Sequence, residues 1–517
     1  TARRWIPPAR VSLAVGECWC AACVHVGKYA RSWGAARKNP CGPQMDFQCI
    51  PFLSTAELAA AIKSRLVTSR QVLELLLARR ETFDGPLNAV VYIDANRARQ
   101  RADQADAALA RGEDWGVLHG VPCTVKENNN WKGSPNTQGD PKWKHRISSR
   151  NEVMIERLEA CGAIIYGKTN LPYHAMDIQS YNSIYGTTSN PWDLTRTPGG
   201  SSGGSCVSVA CGFSPFELGG DIGGSVRTPA AFCGVYGHKP TFGVIPKAGP
   251  DMERHAKEIS VRGPFARTAD DLRILMECLS GLHGGPARGL KMELPRPTKK
   301  SLGEYRVAIW SDDAAAPVDD ELVDAAENVA AAFERVGAHV SRTARPDYNF
   351  STKKNAKVFF MLTAAANTLS GEPLLREVSL RDYREAQEER EEIRASWERF
   401  FQEWDVLICP SHCTPAFTKN ESEPKPKRMV SQIKNGKHVQ IPYYLPLWWA
   451  LLTNTGLLPS TTFPAGVGEK SGLPLGLNVV SAEYNDYICI DVARLLAKEA
   501  GFVFASPPGY GQSNSKL

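Results

Sequence analysis

Gly199-Gly200-Ser201-Ser202-Gly203-Gly204-Ser205 and, shortly after it, Gly220-Asp221-Ile222-Gly223-Gly224-Ser225-Val226-Arg227-Thr228-Pro229-Ala230-Ala231 place two glycine-serine clusters in succession. Upstream stands Lys126, in Val125-Lys126-Glu127-Asn128. A serine hydroxyl is a poor nucleophile at neutral pH, so it needs a base within hydrogen-bond reach, and paired glycines let backbone N–H groups crowd around an oxyanion. The two clusters and the lysine meet both needs without a histidine. Glycine-rich loops also hold serines for purely local turn chemistry, so the surroundings must decide.

Working outward, helix and strand patterns alternate. Ser54-Thr55-Ala56-Glu57 and Thr68-Ser69-Arg70-Gln71 are capping boxes, each opening an amphipathic stretch. Leu87 to Ile93 is an apolar run of strand length, and an Ala-rich helix is predicted from Asp94 to about Arg111. Further helices are expected at Val153 to Ala160, Val207 to Gly212, Asp270 to Leu282 and Asp319 to Val336. Strands are expected at Ala163 to Tyr166, Tyr305 to Trp310 and Asp405 to Cys409. This is an α/β pattern around a largely buried sheet. No break in composition divides residues 45–505, which read as one large domain. Gly284 to Lys300 and Lys419 to His438 read as surface connections, and the second is a candidate lid or substrate-entry element.

The ends differ. Residues 1–44 are rich in Arg, Ala, Cys and Trp and read as an N-terminal extension outside the core: disordered, an organelle leader, or translated sequence ahead of a start at Met45. Residues 506–517 read as a flexible tail ending Ser515-Lys516-Leu517. In a eukaryote that tripeptide is a peroxisomal address read by an import receptor; otherwise a cytoplasmic location is expected.

The chain has 517 residues, 43% of them hydrophobic, enough for a large core. A net charge of +6 is spread along the chain, leaving no nucleic-acid footprint and pointing to a small-molecule partner. No apolar stretch approaches the roughly 20 residues of a membrane helix. Cys123, Cys161, Cys206, Cys211, Cys233, Cys278 and Cys489 sit in apolar surroundings and read as buried free thiols. Cys20-Ala21-Ala22-Cys23, near Cys18 and Cys41, has metal-ligand spacing but no second pair, and no metal site is assigned. Oligomeric state stays open, a homodimer included.

Two further motifs compete. Gly162-Ala163-Ile164-Ile165-Tyr166-Gly167-Lys168-Thr169 spells a phosphate-binding loop, yet its middle residues look like the strand itself, and Pro172 follows where a helix should begin. Lys168 is therefore left out of the chemistry. Gly199 to Gly203 also fits the GxSxG elbow, which requires a strand just before the serine; the approach from Asn190 to Pro198 is rich in turn residues. His238, His255, His283 and His412 are that reading's candidate bases.

The ordered set as a whole resembles the amidase signature family of serine hydrolases. The resemblance rests on Gly120 to Asn128, Gly167 to Asn170, Tyr185 to Asp193, Pro198 to Ser205, Gly220 to Thr241, Gly263 to Thr268, Phe463 to Gly466 and Gly472 to Leu477. It implies a single α/β/α sandwich on a large mixed, twisted β-sheet, without metal or cofactor. It assigns the nucleophile to Ser225, the bridging serine, after a cis peptide bond, to Ser201, and the base to Lys126. Backbone N–H groups of Ile222, Gly223, Gly224 and Ser225 would hold the oxyanion, with Ala175 and Gln179 near the acyl pocket. Arg227 and Asp221 are expected to form a structural charge pair.

The implied reaction is hydrolysis of a linear amide to acid plus ammonia or amine through an acyl-enzyme; family members act on fatty acid amides among others. Lys126 can act as base only if burial lowers its pKa from about 10.4. Gly237-His238-Lys239 resembles the free-standing amidases. The alternatives are the glutamine-hydrolysing subunit of an aminoacyl-tRNA amidotransferase and a catalytically silent amide-binding protein. Tyr443, Trp448 and Trp449 are candidates to line an apolar acyl channel, core packing being the commoner use of such rings. Glu127 to Trp131 and Thr137 to Asp140 depart from the family pattern beside the site, which puts substrate choice in doubt.

Overall fold

Both capping boxes form. Glu57 N donates to Ser54 Oγ at 3.2 Å while Ser54 N donates to Glu57 Oε2 at 2.9 Å, and Gln71 and Thr68 repeat the exchange at 3.0 and 2.9 Å. They open the helices Thr55–Lys63 and Ser69–Phe83. The computed structural model describes residues 47–247, 258–350, 352–370 and 378–511. The extension 1–44 with its cysteine pair, His255 and the terminal Ser515-Lys516-Leu517 lie outside the described residues.

An eight-stranded sheet runs in the order His339–Ser341, Arg306–Ile309, Val406–Pro410, Pro474–Val480, Ser460–Val467, Tyr236–Lys239, Val261–Ala266, Phe216–Asp221. Its first three strands are parallel and the rest pair antiparallel, so the sheet is mixed. All seven residues of Pro474–Val480 are buried. Successive strand residues point to opposite faces, so both faces of this central strand are covered, as a sandwich requires. A three-stranded sheet, Val90–Ile93, Ile164–Thr169 and Pro122–Lys126, carries the lysine at its edge. Asn129 Nδ2 ties the turn after that edge to Leu218 O of the larger sheet at 3.1 Å.

Most predicted elements stand within a few residues of their expected ends, and the helix Val153–Ala160 coincides with its prediction. Two differ. The helix expected from Val207 begins at Gly203. Within Lys419 to His438, expected as a surface connection, the strand Met429–Lys434 begins a β-hairpin with Lys437–Pro442. Its turn residues Asn435 and Gly436 both have positive φ, 52° and 72°, which suits the hand of a two-residue hairpin turn.

Every cysteine among the described residues is a free thiol, buried except for the half-buried Cys49 and Cys161. No helix among them is long and apolar enough to cross a membrane.

Candidate active site

Lys126 ends the strand Pro122–Lys126, whose five residues are all buried. Its Nζ lies 2.7 Å from Ser201 Oγ and 2.9 Å from Ser202 Oγ. Burial pushes this amine down to about 7, the nearby Arg262 guanidinium adds to the effect, and the Asp221 and Glu217 carboxylates oppose it. A sizeable neutral fraction at physiological pH follows. Ser201 stands just before the helix Gly203–Ala210, and the Gly200–Ser201 peptide bond is cis.

Ser225 follows the strand Phe216–Asp221, in the loop that leads into the helix Arg227–Cys233. Asp221 organises that loop. Its carboxylate accepts from Gly224 N at 2.9 Å and Val226 N at 3.0 Å, and from Arg227 at 2.9 and 3.1 Å. The Asp221–Arg227 pair is fully buried. Arg227 also donates to Ala450 O and Thr453 Oγ1 on the helix Leu447–Thr455, at 3.0 and 2.6 Å. The Gly224 N–H, expected among the oxyanion donors, donates to Asp221 Oδ1. Among the described residues, the N–H groups of Ile222, Gly223 and Ser225 have no protein acceptor.

A cavity of about 490 Å³ brings together Lys126, Ser201, Ser225, Ile222, Gly223 and Ala175. Gln179 is absent from the lining. Its amide joins Tyr443 OH and Asn420 O, each at 2.9 Å, and accepts from Asn420 N at 3.0 Å. Gln179 therefore braces the segment behind Ser201 against the strap after Lys419. Arg428 reinforces the brace, donating to Asp177 Oδ2 at 3.2 Å and to Tyr181 OH at 2.9 Å. That strap does border the cavity, through Lys425 and Pro426.

The expected acyl channel is corrected. Trp448 and Trp449 are buried and donate to Phe350 O and Ala316 O, and Tyr443 OH donates to Asp177 Oδ1. All three pack the core. The apolar wall is instead made by Phe359, Phe360, Tyr444 and Leu447. Phe359 and Phe360 lie on the helix Thr352–Ser370, far along the chain from the serine loops. No local signal singles them out, and no helix was expected over the residues that carry them.

The competing motifs resolve. Ile164–Thr169 is one continuous strand, so Gly167-Lys168-Thr169 forms no phosphate loop. Lys168 is buried rather than solvated, donating to Asn129 O at 2.9 Å and to Pro135 O. Among the described residues no strand directly precedes Ser201, and His238 is engaged by Asp486 and Thr461 at 3.1 and 2.8 Å. The atypical Glu127 is buried; its carboxylate accepts from Thr137 N at 2.5 Å and Gln138 N at 3.0 Å, shaping the turn beside the cavity.

The family model described as Amidase matches residues 71–370 and 359–490. A glutamyl-tRNA(Gln) amidotransferase subunit of Anaeromyxobacter sp. (strain K) is 32% identical over 502 residues, covering 88% of this chain and 98% of its own. Two solved structures share the fold. A bacterial aryl acylamidase of the amidase signature enzymes superimposes with a TM-score of 0.76 at 24% identity, covering 87% of this chain and 96% of that one. A 6-aminohexanoate cyclic dimer hydrolase bound to its substrate gives 0.75 at 23%, covering 89% and 100%.

Proposed function

The chain belongs to the amidase signature family of amide hydrolases, and from that premise we propose that it cleaves a linear carboxylic acid amide to acid and amine through an acyl-enzyme on Ser225. The observation that carries this reading is the 2.7 Å contact between a buried Lys126 amine, lowered to about 7, and Ser201 Oγ on the wall of the same cavity as Ser225.

Neutral Lys126 takes the Ser201 proton while Ser201 takes that of Ser225, whose oxygen attacks the amide carbonyl. The oxyanion is held by N–H groups of Ile222, Gly223 and Ser225. The proton returns through Ser201 to the leaving nitrogen, the C–N bond breaks, and water then releases the acid by the same relay. Phe359, Phe360 and Leu447 favour an apolar portion in the substrate.

A second reading, a glutamine-hydrolysing subunit of an aminoacyl-tRNA amidotransferase, draws on the Anaeromyxobacter relative. It requires release of ammonia from L-glutamine, which a coupled assay reads directly.

Fluorophosphonate labelling tests the main reading. An adduct located on Ser225 by peptide mass spectrometry, and diminished in Lys126→Ala, is the expected result. Binding of amides with neither adduct nor turnover would leave a silent scaffold and overturn it.

A further inference from the structure

The strand Phe216–Asp221 places Glu217, Gly219 and Asp221 on one face, since alternate residues share a side. Asp221 organises the Ser225 loop. Gly219 gives Ser202 its seat, because a Cβ there would fall 2.7 Å from Ser202 Oγ. Glu217, on the same face, is fully buried. Its Oε1 accepts from Thr169 Oγ1 at 2.9 Å and its Oε2 from Leu218 N at 2.8 Å. The Thr124 and Ser205 hydroxyls also bond to it, and Ser205 Oγ stands 2.9 Å from Thr169 Oγ1.

Those hydroxyls sit on the carriers of the candidate active site. Thr124 lies on the strand Pro122–Lys126 and shares the face of Lys126. Thr169 is the register partner of Lys126 on the neighbouring strand. Ser205 belongs to the helix Gly203–Ala210, which starts directly after Ser201 and Ser202, and Ser208 of that helix meets Thr124 Oγ1 at 2.9 Å. Glu217 itself lies on the strand that leads into the Ser225 loop. One carboxyl therefore joins the segments that bear the base, the bridging serine and the nucleophile. Among the described residues no ion pair forms to it. A buried carboxyl without a counter-ion is costly unless hydrogen bonds or a proton offset its desolvation, and burial raises this one to about 7. Its side-chain partners are all hydroxyls, which turn to donate or to accept, so the network stands with the carboxyl protonated or ionised. An apolar side chain of similar size would carry no such cost.

We propose that Glu217 is a positioning residue for the reaction: through Thr124, Thr169 and Ser205 it fixes the Lys126 strand, the helix after Ser201 and the strand before Ser225 against one another, so that the relay atoms stay within hydrogen-bond reach. It acts through these groups and touches neither the substrate nor the reacting atoms. The turnover arm of the test rests on the amidase reading; the exchange arm does not.

Glu217→Gln, Glu217→Leu and Thr169→Val are compared with wild type, using the full chain and a neutral amide at a pH above the Lys126 limb, where the base is neutral in each. Glutamine keeps an acceptor for Leu218 N and a donor for the hydroxyls, so it should hold kcat within about threefold of wild type. Leucine abolishes the hub. In that variant kcat and the rate of fluorophosphonate labelling should fall by about tenfold or more with KM within about twofold, because the relay is misplaced while the cavity wall is untouched. Thr169→Val keeps Glu217 and the shape of the threonine; it should lose kcat in the same sense by about threefold or more, and it carries the test if the leucine variant does not fold. A kcat within about twofold of wild type in either of these two, a loss expressed in KM instead of kcat, or a glutamine variant as slow as the leucine one overturns the proposal. If wild type turns over no amide and takes no label at Ser225, it is the amidase reading that has failed. Amide hydrogen exchange then decides the hub. Thr169→Val should speed exchange over residues 203–210 and 216–225 together, relative to the helix Asp486–Ala500, which packs on the strands Ser460–Val467 and Pro474–Val480. Unchanged protection of both segments would remove the hub.

Discussion

Lys126 Nζ stands 2.7 Å from Ser201 Oγ, close enough that the protonation state of one decides whether the other can surrender its proton. Only the neutral amine accepts. With Lys126 lowered to about 7, kcat/KM on a neutral amide should rise with pH through a limb near 7 and level off above it. Glu217 is also buried and raised to about 7, hydrogen-bonded to Thr169 Oγ1. A Glu217→Gln variant that keeps the limb assigns it to the lysine. A flat profile between about pH 5 and 9 contradicts that assignment.

Ser202 is the second oxygen on the same amine, at 2.9 Å. It occupies the N-cap of the helix Gly203–Ala210 without a side-chain capping bond, so alanine there removes no cap. A hydroxyl that accepts from the charged amine favours the charged form. Ser202→Ala should therefore move the limb to lower pH and reduce kcat by about tenfold, with Ser225 still labelled. An unchanged profile would show that Ser202 does not steer the lysine.

The readable part of this molecule was the part built on local chemistry. Side-chain caps at Ser54 and Thr68 and the periodicity of Val153–Ala160 depend on neighbours a few residues apart, and those elements stand where expected. The serine loops were legible because tight turns and close backbone approach restrict the residues allowed there. The helix at Gly203 was read late because glycine is a poor helix former. Its reason is tertiary: a Cβ at Gly204 would lie 2.5 Å from Asn170 N. The hairpin was masked by its charged flanks, though Asn435-Gly436 is a strong turn signal. Phe359 and Arg262 could not be assigned to the site, since nothing nearby in sequence says which cavity a helix or strand from elsewhere will wall. The Asp221 contact to the Gly224 N–H was illegible for a similar reason, because only the folded loop brings that carboxylate within 2.9 Å of it.

Arg227 and Asp221 are the pair on which the nucleophile loop hangs. Burial opposes the Asp221 charge, but the Arg227 guanidinium more than offsets it and holds the carboxyl well below its usual range. A depressed folded value means the pair stabilises fully above the unfolded carboxylate pKa of about 3.9 and loses that contribution as pH falls through the folded value. Arg227→Met strands a buried carboxylate and should cost about 3–5 kcal/mol at pH 7. Denaturant unfolding measures it, and the double variant Asp221→Asn, Arg227→Met should recover part of the loss. A cost below about 1 kcal/mol would make the pair dispensable.

Gly200 carries the tightest constraint on Ser201. A Cβ there would lie 2.6 Å from Asp177 O and 2.7 Å from Gln179 N, both backbone atoms. That backbone cannot retreat easily, because Asp177 is held by Arg428 and Tyr443 while Gln179 is held by Asn420. The added methyl must then displace Ser201, and a misplacement of about 1 Å costs on the order of a hundredfold in rate. Gly200→Ala should fold, as read by melting, yet lose about that much in kcat and in fluorophosphonate labelling. Gly85→Ala, where a Cβ meets nothing within 4 Å and the backbone is, as at Gly200, not left-handed, is the control for losing a glycine without a clash. Full activity in Gly200→Ala would mean that the segment 177–179 yields, and that the brace through Arg428 and Asn420 does not position the serine.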